Sequence, residues 1–199
     1  MSRLSITALA LDGLKSIERK PIGDLRGSLT RLFCANELVE AGWNLPIAQI
    51  NLTQTSHKGA IRGLHFQLQP YAEMKLVTCI RGRIWDVVVD LRRDSRTFLR
   101  WQAKELSAEN NQALLIPQGF AHGFQALTDD VELIYFHTMS YHPDAESGLN
   151  AFDPALAVEW PLSVTNISAR DEGFSMIDSN FARVTLTARC FGPDASAVR

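Results

Sequence analysis

Short runs of β-forming residues, separated by turn-forming residues, fill the middle of the chain. They lie at 60–68, 74–81, 83–92, 100–107, 113–117, 120–127 and 131–141. Many short strands separated by turns are typical of β-sandwiches and β-barrels. The pattern therefore predicts an all-β fold, not a parallel α/β sheet. Helical structure is predicted only as short pieces. Asn36 could cap a helix that ends at Gly42, and short helical turns are expected beyond Pro143.

Within the first of these runs, alternation separates two sets of side chains. It predicts one face with Arg62, Leu64 and Phe66, and another with Ile61, Gly63, His65 and Gln67. His65 would then point into the lumen of a barrel. The next two runs, 74–80 and 83–90, are expected to form a hairpin with Gly82 in its turn.

The 199 residues suit one domain with small extensions. We predict a single domain over 1–199, in which 1–33 supplies N-terminal strands and 176–199 is a weakly patterned C-terminal extension. Asp12 and Gly13 mark a turn among the N-terminal strands, and 28–33 is a further candidate strand. A strand at 47–55 would send Gln49 and Asn51 to the same side.

Composition narrows the function classes. The chain has 20 basic and 22 acidic residues and a net charge of -2, which argues against a nucleic-acid surface or a polybasic membrane patch. No uncharged run reaches membrane-spanning length. The cysteines Cys34, Cys79 and Cys190 are far apart and form no C-x-x-C pair, which suits a reducing compartment. We therefore expect a soluble cytoplasmic protein.

Several catalytic motifs are missing from the sequence. It has no His-x-His pair to start a metal site, so we expect no metal. It also lacks a Gly-x-Ser-x-Gly elbow, a cysteine in a reactive context and a glycine-rich phosphate loop. What remains is acid/base chemistry without a metal, in which a histidine is the base, a tyrosine or lysine is the acid, and arginines hold an anion.

A series of ordered motifs carries a family resemblance. They include Gly23–Gly27 (GDLRG), Arg62–Gln67 (RGLHFQ), Asp86–Arg92 (DVVVDLR), Ile116–Phe124 (IPQGFAHGF) and Glu159–Pro161 (EWP). In order and approximate spacing, residues 20 to 175 resemble dTDP-4-dehydrorhamnose 3,5-epimerases. The resemblance implies a cupin-type jelly-roll barrel with short C-terminal helices. It also implies a homodimer that acts on a dTDP-4-keto-6-deoxy sugar without metal or cofactor.

The resemblance also implies roles for single residues. His65 matches the base, Asp171 the carboxylate that orients it, Tyr135 the general acid, and Lys75 the cation beside the keto oxygen at C4 of the sugar. That ketone acidifies the hydrogens on C3 and C5, because deprotonation leaves an enolate. The positions that match substrate contacts are Arg26, Gln49, Asn51, Arg62, His122, Glu146 and Arg170.

Each of these residues also has a structural interpretation. Lys75 could lie on a strand edge, Asp171 could cap a turn, and Tyr135 could be a core aromatic. Asp86 and Asp90 look like structural acids and are left out of the catalytic set.

The chain departs from the family pattern at positions that surround the predicted site. These are Arg31, Ile50, Phe136, Ser140 and Ala151. Three alternatives therefore stay open. The first is an epimerase that inverts only C3 or C5 of a different nucleotide sugar, and the second is a non-catalytic sugar-nucleotide binder. The third is a metal-dependent cupin oxygenase, for which the sequence lacks the ligands.

Overall fold

The computed structural model describes residues 2–178 and 181, so the predicted extension at 176–199 lies almost entirely outside the described residues. Strands dominate the described part of the chain and confirm the all-β prediction. They are β1 (Leu4–Ala8), β2 (Lys15–Arg19), β3 (Ile22–Asp24), β4 (Gly27–Leu29), β5 (Gln49–Thr55), β6 (Ile61–Gln67), β7 (Lys75–Arg81), β8 (Arg83–Asp90), β9 (Trp101–Ser107), β10 (Gln112–Ile116), β11 (Phe120–Ala126), β12 (Val131–His137) and β13 (Glu146–Gly148).

Two antiparallel sheets form the body of the fold. The first has the order β1-β2-β10-β7-β12-β5, and the second has the order β13-β6-β11-β8-β9. The predicted hairpin of β7 and β8 is wrong, because these strands belong to different sheets. Gly82 has a φ of 72° and lies where the chain crosses from one sheet to the other. Such crossings, with both sheets packed face to face, give the jelly-roll architecture.

Apolar side chains form three layers. The layer between the sheets includes Val77 and Leu133 from the first sheet and Val88 and Phe124 from the second. The outer face of the six-stranded sheet is covered by a segment that carries α1 (Ala35–Leu38) and Trp43. The outer face of the five-stranded sheet is covered by the C-terminal segment, which contributes apolar residues from Leu149 to Ile177. Most of both outer faces is thus covered, although β5 leaves Ile50 and Leu52 exposed, so the central strands are apolar on two sides.

A bulge in β6 overturns the predicted alternation. His65 pairs with His122 on β11, whereas Arg62, three residues earlier, pairs with Phe124, only two residues later. Because directly paired residues share a face, Arg62 lies on the inner face with His65 and not with Leu64. At the bulge Gly63 has a φ of 124°, and a Cβ there would lie 2.4 Å from the Cα of Gly123. This close approach requires glycine on β6.

The smaller elements differ from the predictions in detail. Cys34, not Asn36, is the N-cap of α1, and no side chain caps that helix. The 3₁₀ turn that follows ends at Gly42, with a φ of 100°, as the sequence indicated. The candidate strand at 28–33 is reduced to β4. The predicted run at 131–141 is also shorter, because β12 ends at residue 137, although Thr138 still bonds Met74 beside it. In the part of the chain described, no helix is long and apolar enough to cross a membrane.

Candidate active site

A cavity of about 830 Å³ lies between the two sheets. This volume is within the range of pockets that hold small-molecule ligands. His65 lines it from β6 in one sheet, and Tyr135 lines it from β12 in the other. The predicted site residues that line the cavity are Gln49, Asn51, Arg62, His65, Lys75, His122, Tyr135, Glu146, Arg170 and Asp171.

His65 and Asp171 form a bonded pair. Nε2 of His65 lies 2.8 Å from Oδ1 of Asp171, and the other carboxylate oxygen accepts a hydrogen bond from the Gly63 amide at 3.1 Å. Asp171 is 2% exposed. Burial alone would raise the pKa of this carboxyl, but the hydrogen bonds from His65 and Gly63 outweigh it and lower the pKa. Asp171 is therefore ionised and can fix the orientation of the imidazole.

A short helix, α2 (Ala169–Glu172), carries Asp171 to the cavity. Ser168 is its N-cap, and its hydroxyl accepts a hydrogen bond from the Asp171 amide at 3.1 Å. The side-chain amide of Asn150 donates to the carbonyls of Glu172 and Phe174 at 2.9 and 3.1 Å. The turn is thus tied to the end of the barrel, and the cap predicted for Asp171 is made by Ser168 instead.

Tyr135 lies on the inner face of β12, between Val77 on β7 and Asn51 on β5. Its ring packs against the edge of His122 with 5.8 Å between ring centroids. Burial and the nearby Asp86 carboxylate raise the pKa of the Tyr135 hydroxyl. The phenol therefore keeps its proton at neutral pH and can donate it.

Lys75 lies on β7 directly opposite His137 on β12. Its Nζ lies 3.0 Å from a carboxylate oxygen of Glu73, and both side chains are almost fully buried. Burial and the charge of Lys75 lower the pKa of His137 to about 4. The lysine thus has a neutral imidazole on one side and a carboxylate on the other. It is a buried residue of a central strand and does not lie at the edge of the sheet.

A second histidine and carboxylate pair lies at the floor of the cavity. Nε2 of His122 lies 2.8 Å from Oδ2 of Asp86, and both residues are buried. Burial raises the pKa of Asp86, although the attraction of His122 opposes the rise. Asp90 is a structural acid, as the sequence indicated, because it accepts hydrogen bonds from Arg92, Ser95 and Thr97.

Arg62 is held at the cavity by neutral groups. Its guanidinium donates to the hydroxyl of Thr55 and to the carbonyl of Gln54, both at 3.0 Å. Among the described residues, no ion pair involves Arg62. Its charge is therefore available to an anion in the cavity.

The mouth of the cavity carries a second polar cluster. Arg170 donates to Glu146 at 2.8 Å and to Asp171 at 3.2 Å, and its Nη2 lies 3.0 Å from Nε2 of His65. The hydroxyl of Tyr141 also donates to Glu146 at 2.8 Å. Gln49 joins this cluster because its Oε1 accepts a hydrogen bond from the backbone amide of Tyr141 at 2.9 Å.

Arg26 is the one predicted site residue that does not line the cavity. It lies at the tip of the hairpin of β3 and β4, bonded to Asp24, and its side chain is 89% exposed. Its predicted contact with substrate cannot be made within this subunit as described. The role of Arg26 stays a prediction.

The departures from the family pattern have different structural settings. Phe136 lies on the outer face of β12, where it stacks on Phe33, so this substitution does not reach the cavity. Arg31 pairs with Glu37 beside α1. Ile50 is exposed on β5, Ser140 is exposed after β12, and Ala151 is buried with its carbonyl bonded to Trp160. None of these five residues lines the cavity.

Sequence reasoning missed three groups at the site. Glu73 precedes β7, where no alternation assigns it a face. His137 has no role in the sequence prediction, although alternation with Tyr135 places it on the inner face. Asp86 was set aside, although alternation with Ile84 and Val88 also places it inward.

No group of three or more histidine, cysteine or acidic side chains within residues 2–178 is arranged to hold a metal ion. The described cysteines, Cys34 and Cys79, are free. The absence of a metal from the reaction stays a prediction.

Comparisons with known proteins match the resemblance found in the sequence motifs. The family model described as dTDP-4-dehydrorhamnose 3,5-epimerase matches residues 8–179. A dTDP-4-dehydrorhamnose 3,5-epimerase of Shigella flexneri is 40% identical over 166 residues, which cover 82% of this chain and 91% of that protein. A dTDP-4-dehydrorhamnose 3-epimerase of Streptomyces niveus is 35% identical over 170 residues, which cover 85% of this chain and 82% of that protein.

A solved structure is similar in fold as well as in sequence. It is a dTDP-6-deoxy-D-glucose-3,5-epimerase of Legionella pneumophila in complex with dTDP-4-keto-L-rhamnose. It superposes with a TM-score of 0.83 at 38% identity, and the match covers 87% of this chain and 92% of that chain.

Proposed function

Because the chain belongs to the dTDP-4-dehydrorhamnose 3,5-epimerase family and is a carbohydrate epimerase, we propose that it inverts C3, C5 or both in a dTDP-4-keto-6-deoxyhexose. The observation that supports this proposal is that His65 and Tyr135, the proposed base and acid, line one cavity from different sheets. Inversion needs a proton removed from one face of the sugar ring and returned to the other. Two groups on different sheets suit that requirement.

The proposed reaction uses side chains alone. Nε2 of His65 is bonded to Asp171, so Nδ1 is the ring nitrogen left to take the proton from the carbon beside the ketone. Asp171 then stabilises the imidazolium that forms. Lys75 faces the C4 oxygen and stabilises the enolate, and Tyr135 returns a proton from the opposite face.

Binding of the nucleotide is assigned to the remaining polar residues. Arg62 lacks an ion-pair partner among the described residues and would meet the diphosphate, because a guanidinium offers paired donors. Gln49 and Asn51 on β5, His122 on β11, and the pair of Glu146 and Arg170 at the mouth are placed to contact the sugar and the rest of the nucleotide.

Proton exchange tests the proposal directly. The protein is incubated with dTDP-4-keto-6-deoxyglucose in heavy water, and the hydrogens on C3 and C5 are followed by NMR. We expect deuterium to enter, and His65→Ala to abolish its entry while Tyr135→Phe slows the formation of inverted product. Folded wild-type protein that binds the nucleotide sugar without any exchange would support the non-catalytic binder instead.

The same experiment separates double from single inversion. Relatives of this chain include a protein named as a 3-epimerase as well as those named as 3,5-epimerases. Exchange at both carbons supports the double epimerase, whereas exchange at C3 alone supports the single one. Neither outcome changes the roles assigned to His65 and Tyr135.

A homodimer is part of the proposal. The hairpin of β3 and β4 exposes Ile22, Leu25 and Leu29, and β5, an edge strand of its sheet, exposes Ile50 and Leu52. Exposed apolar side chains beside a free strand edge favour pairing with a second copy. The hairpin would then bring Arg26 to the partner's cavity. Light scattering that gives a monomer mass would count against this assembly.

A cytoplasmic location remains a prediction from the cysteine pattern.

A further inference from the structure

Glu73 is an acid that the proposed reaction does not use, although it lines the cavity and is 7% exposed. One carboxylate oxygen lies 3.0 Å from Nζ of Lys75. The other accepts a hydrogen bond from the side-chain amide of Gln67 at 2.9 Å. The carboxylate of Glu73 is therefore buried with a fixed partner on each oxygen, unlike an acid on the protein surface.

Gln67 fixes the position of this carboxylate. Its amide nitrogen also lies 3.0 Å from the carbonyl of Tyr71, and its side-chain oxygen accepts a hydrogen bond from the backbone amide of His142. Glu73 is thus tied to the loop before β7 and to the segment after β12. Burial alone would raise the pKa of Glu73, but the charge of Lys75 and the hydrogen bond from Gln67 lower it. The acid is therefore ionised.

Within residues 2–178, Lys75 has no other carboxylate so close. Its Nζ also lies 3.4 Å from the carbonyl oxygen of His65, which adds a weak neutral contact. The charged and titratable groups around it on neighbouring elements are Glu73, His65 on β6, Asp86 on β8, His122 on β11, and Tyr135 and His137 on β12. Asp86 is bonded to His122, so Glu73 is the acid that compensates the lysine.

We propose that Glu73 is a positioning residue for the reaction: it holds the ammonium of Lys75 aimed at the oxygen on which the negative charge of the enolate develops. A buried ion pair at hydrogen-bond distance fixes both partners, and removal of one partner leaves the other without a fixed direction. This inference rests on the proposed function for its catalytic consequence, but the pairing itself can be tested without substrate.

The test variant is Glu73→Gln. An amide of the same shape has one acceptor oxygen, so it cannot serve both Lys75 and Gln67. With lysine labelled with ¹³C at Cε, the NMR signal of Lys75 is recorded at neutral pH and assigned as the signal missing in Lys75→Met. In Glu73→Gln we expect its chemical shift to change and the separate shifts of its two Cε protons to merge, because the side chain is no longer held in one direction. The signals of Lys15, Lys20, Lys58 and Lys104 serve as internal references, and circular dichroism reports whether the variant is folded.

Kinetics give the second readout. In Glu73→Gln we expect kcat to fall by about tenfold or more, with KM within about twofold of wild type, because the lysine acts on the enolate more than on bound substrate. The matched control is Glu132→Gln, an acid on the same sheet that pairs with Arg81 and does not line the cavity. It should leave both readouts unchanged.

An unchanged Lys75 signal in folded Glu73→Gln would overturn the inference. So would a fall in kcat with an equal rise in KM, since that indicates a general loss of the site and a merely structural role. If wild-type protein shows no proton exchange at all, the proposed function fails, while the NMR signal still decides whether Glu73 fixes the direction of the lysine.

Discussion

Asp171→Asn is the substitution that most directly tests the site. The carboxylate accepts hydrogen bonds from His65 at 2.8 Å and from the Gly63 amide at 3.1 Å, one on each oxygen. An asparagine has a single acceptor oxygen, so one of these two donors must face an amide nitrogen. The residue is 2% exposed, and water cannot take over the lost role. The imidazolium formed during proton abstraction then has no anion beside it.

The expected loss follows from these contacts. A hydrogen bond to a buried charged group contributes about 1.5 to 3 kcal/mol, and the unpaired imidazolium in the transition state adds to it. We expect a total of about 4 kcal/mol, which corresponds to roughly a 10³-fold lower kcat. KM should stay within about threefold, since Asp171 is bonded to the base and not to the nucleotide. The assay is deuterium entry at C3 and C5, with the rate of product formation measured on the same samples.

Asp90→Asn provides the control, because Asp90 is a buried acid at the end of β8, in the sheet that carries His65, and its partners are Arg92, Ser95 and Thr97. It is expected to lower the free energy of unfolding and to leave kcat of the folded protein near wild type. If Asp171→Asn keeps kcat within tenfold of wild type, the proposal that this carboxylate orients the imidazole of His65 and stabilises its protonated form is refuted.

Three further predictions concern stability and assembly. Gly63→Ala places a Cβ 2.4 Å from the Cα of Gly123, so we expect a loss of about 3 kcal/mol in denaturant unfolding; a wild-type midpoint would contradict the close packing of β6 and β11. Burial and Lys75 lower the pKa of His137 from 6.5 to about 4, so the unfolded chain binds a proton first as the pH falls. As the pH falls from 6.5 to 4, the free energy of unfolding of His137→Phe should therefore decrease by roughly 2 kcal/mol less than that of wild type. Equal decreases in both proteins would argue against a neutral His137. Leu25→Asp should shift light scattering toward the monomer mass, because Leu25 is exposed at the tip of the proposed dimer hairpin; an unchanged dimer would place the interface elsewhere.

Alternation along the chain was enough to place most strands and several site residues. Tyr135 faces the cavity while its neighbour Phe136 faces the outer apolar layer, which is what a period of two requires. Alternation failed where the backbone leaves the regular ladder. The bulge at Gly63 turns Arg62 to the side of His65, and nothing in a two-residue period signals an extra residue.

Other features of the site depend on contacts distant in sequence. Asp171 lies 106 residues from His65 and reaches it from a helical turn outside the barrel, so only the family resemblance indicated the pair. Glu73 stands before its strand begins, where no periodicity assigns it a direction. The hairpin predicted around Gly82 was wrong because a glycine with positive φ serves a crossing between sheets as well as a tight turn.

The position of Asp171 on the outer C-terminal cover has a consequence for the order in which a working enzyme appears during synthesis. The strands that line the cavity end at residue 148, whereas the carboxylate arrives with a segment that leaves the ribosome later. A nascent chain can therefore close its barrel while its base still lacks a partner. Catalysis begins only after the last cover has docked, so the onset of activity marks the completion of the fold.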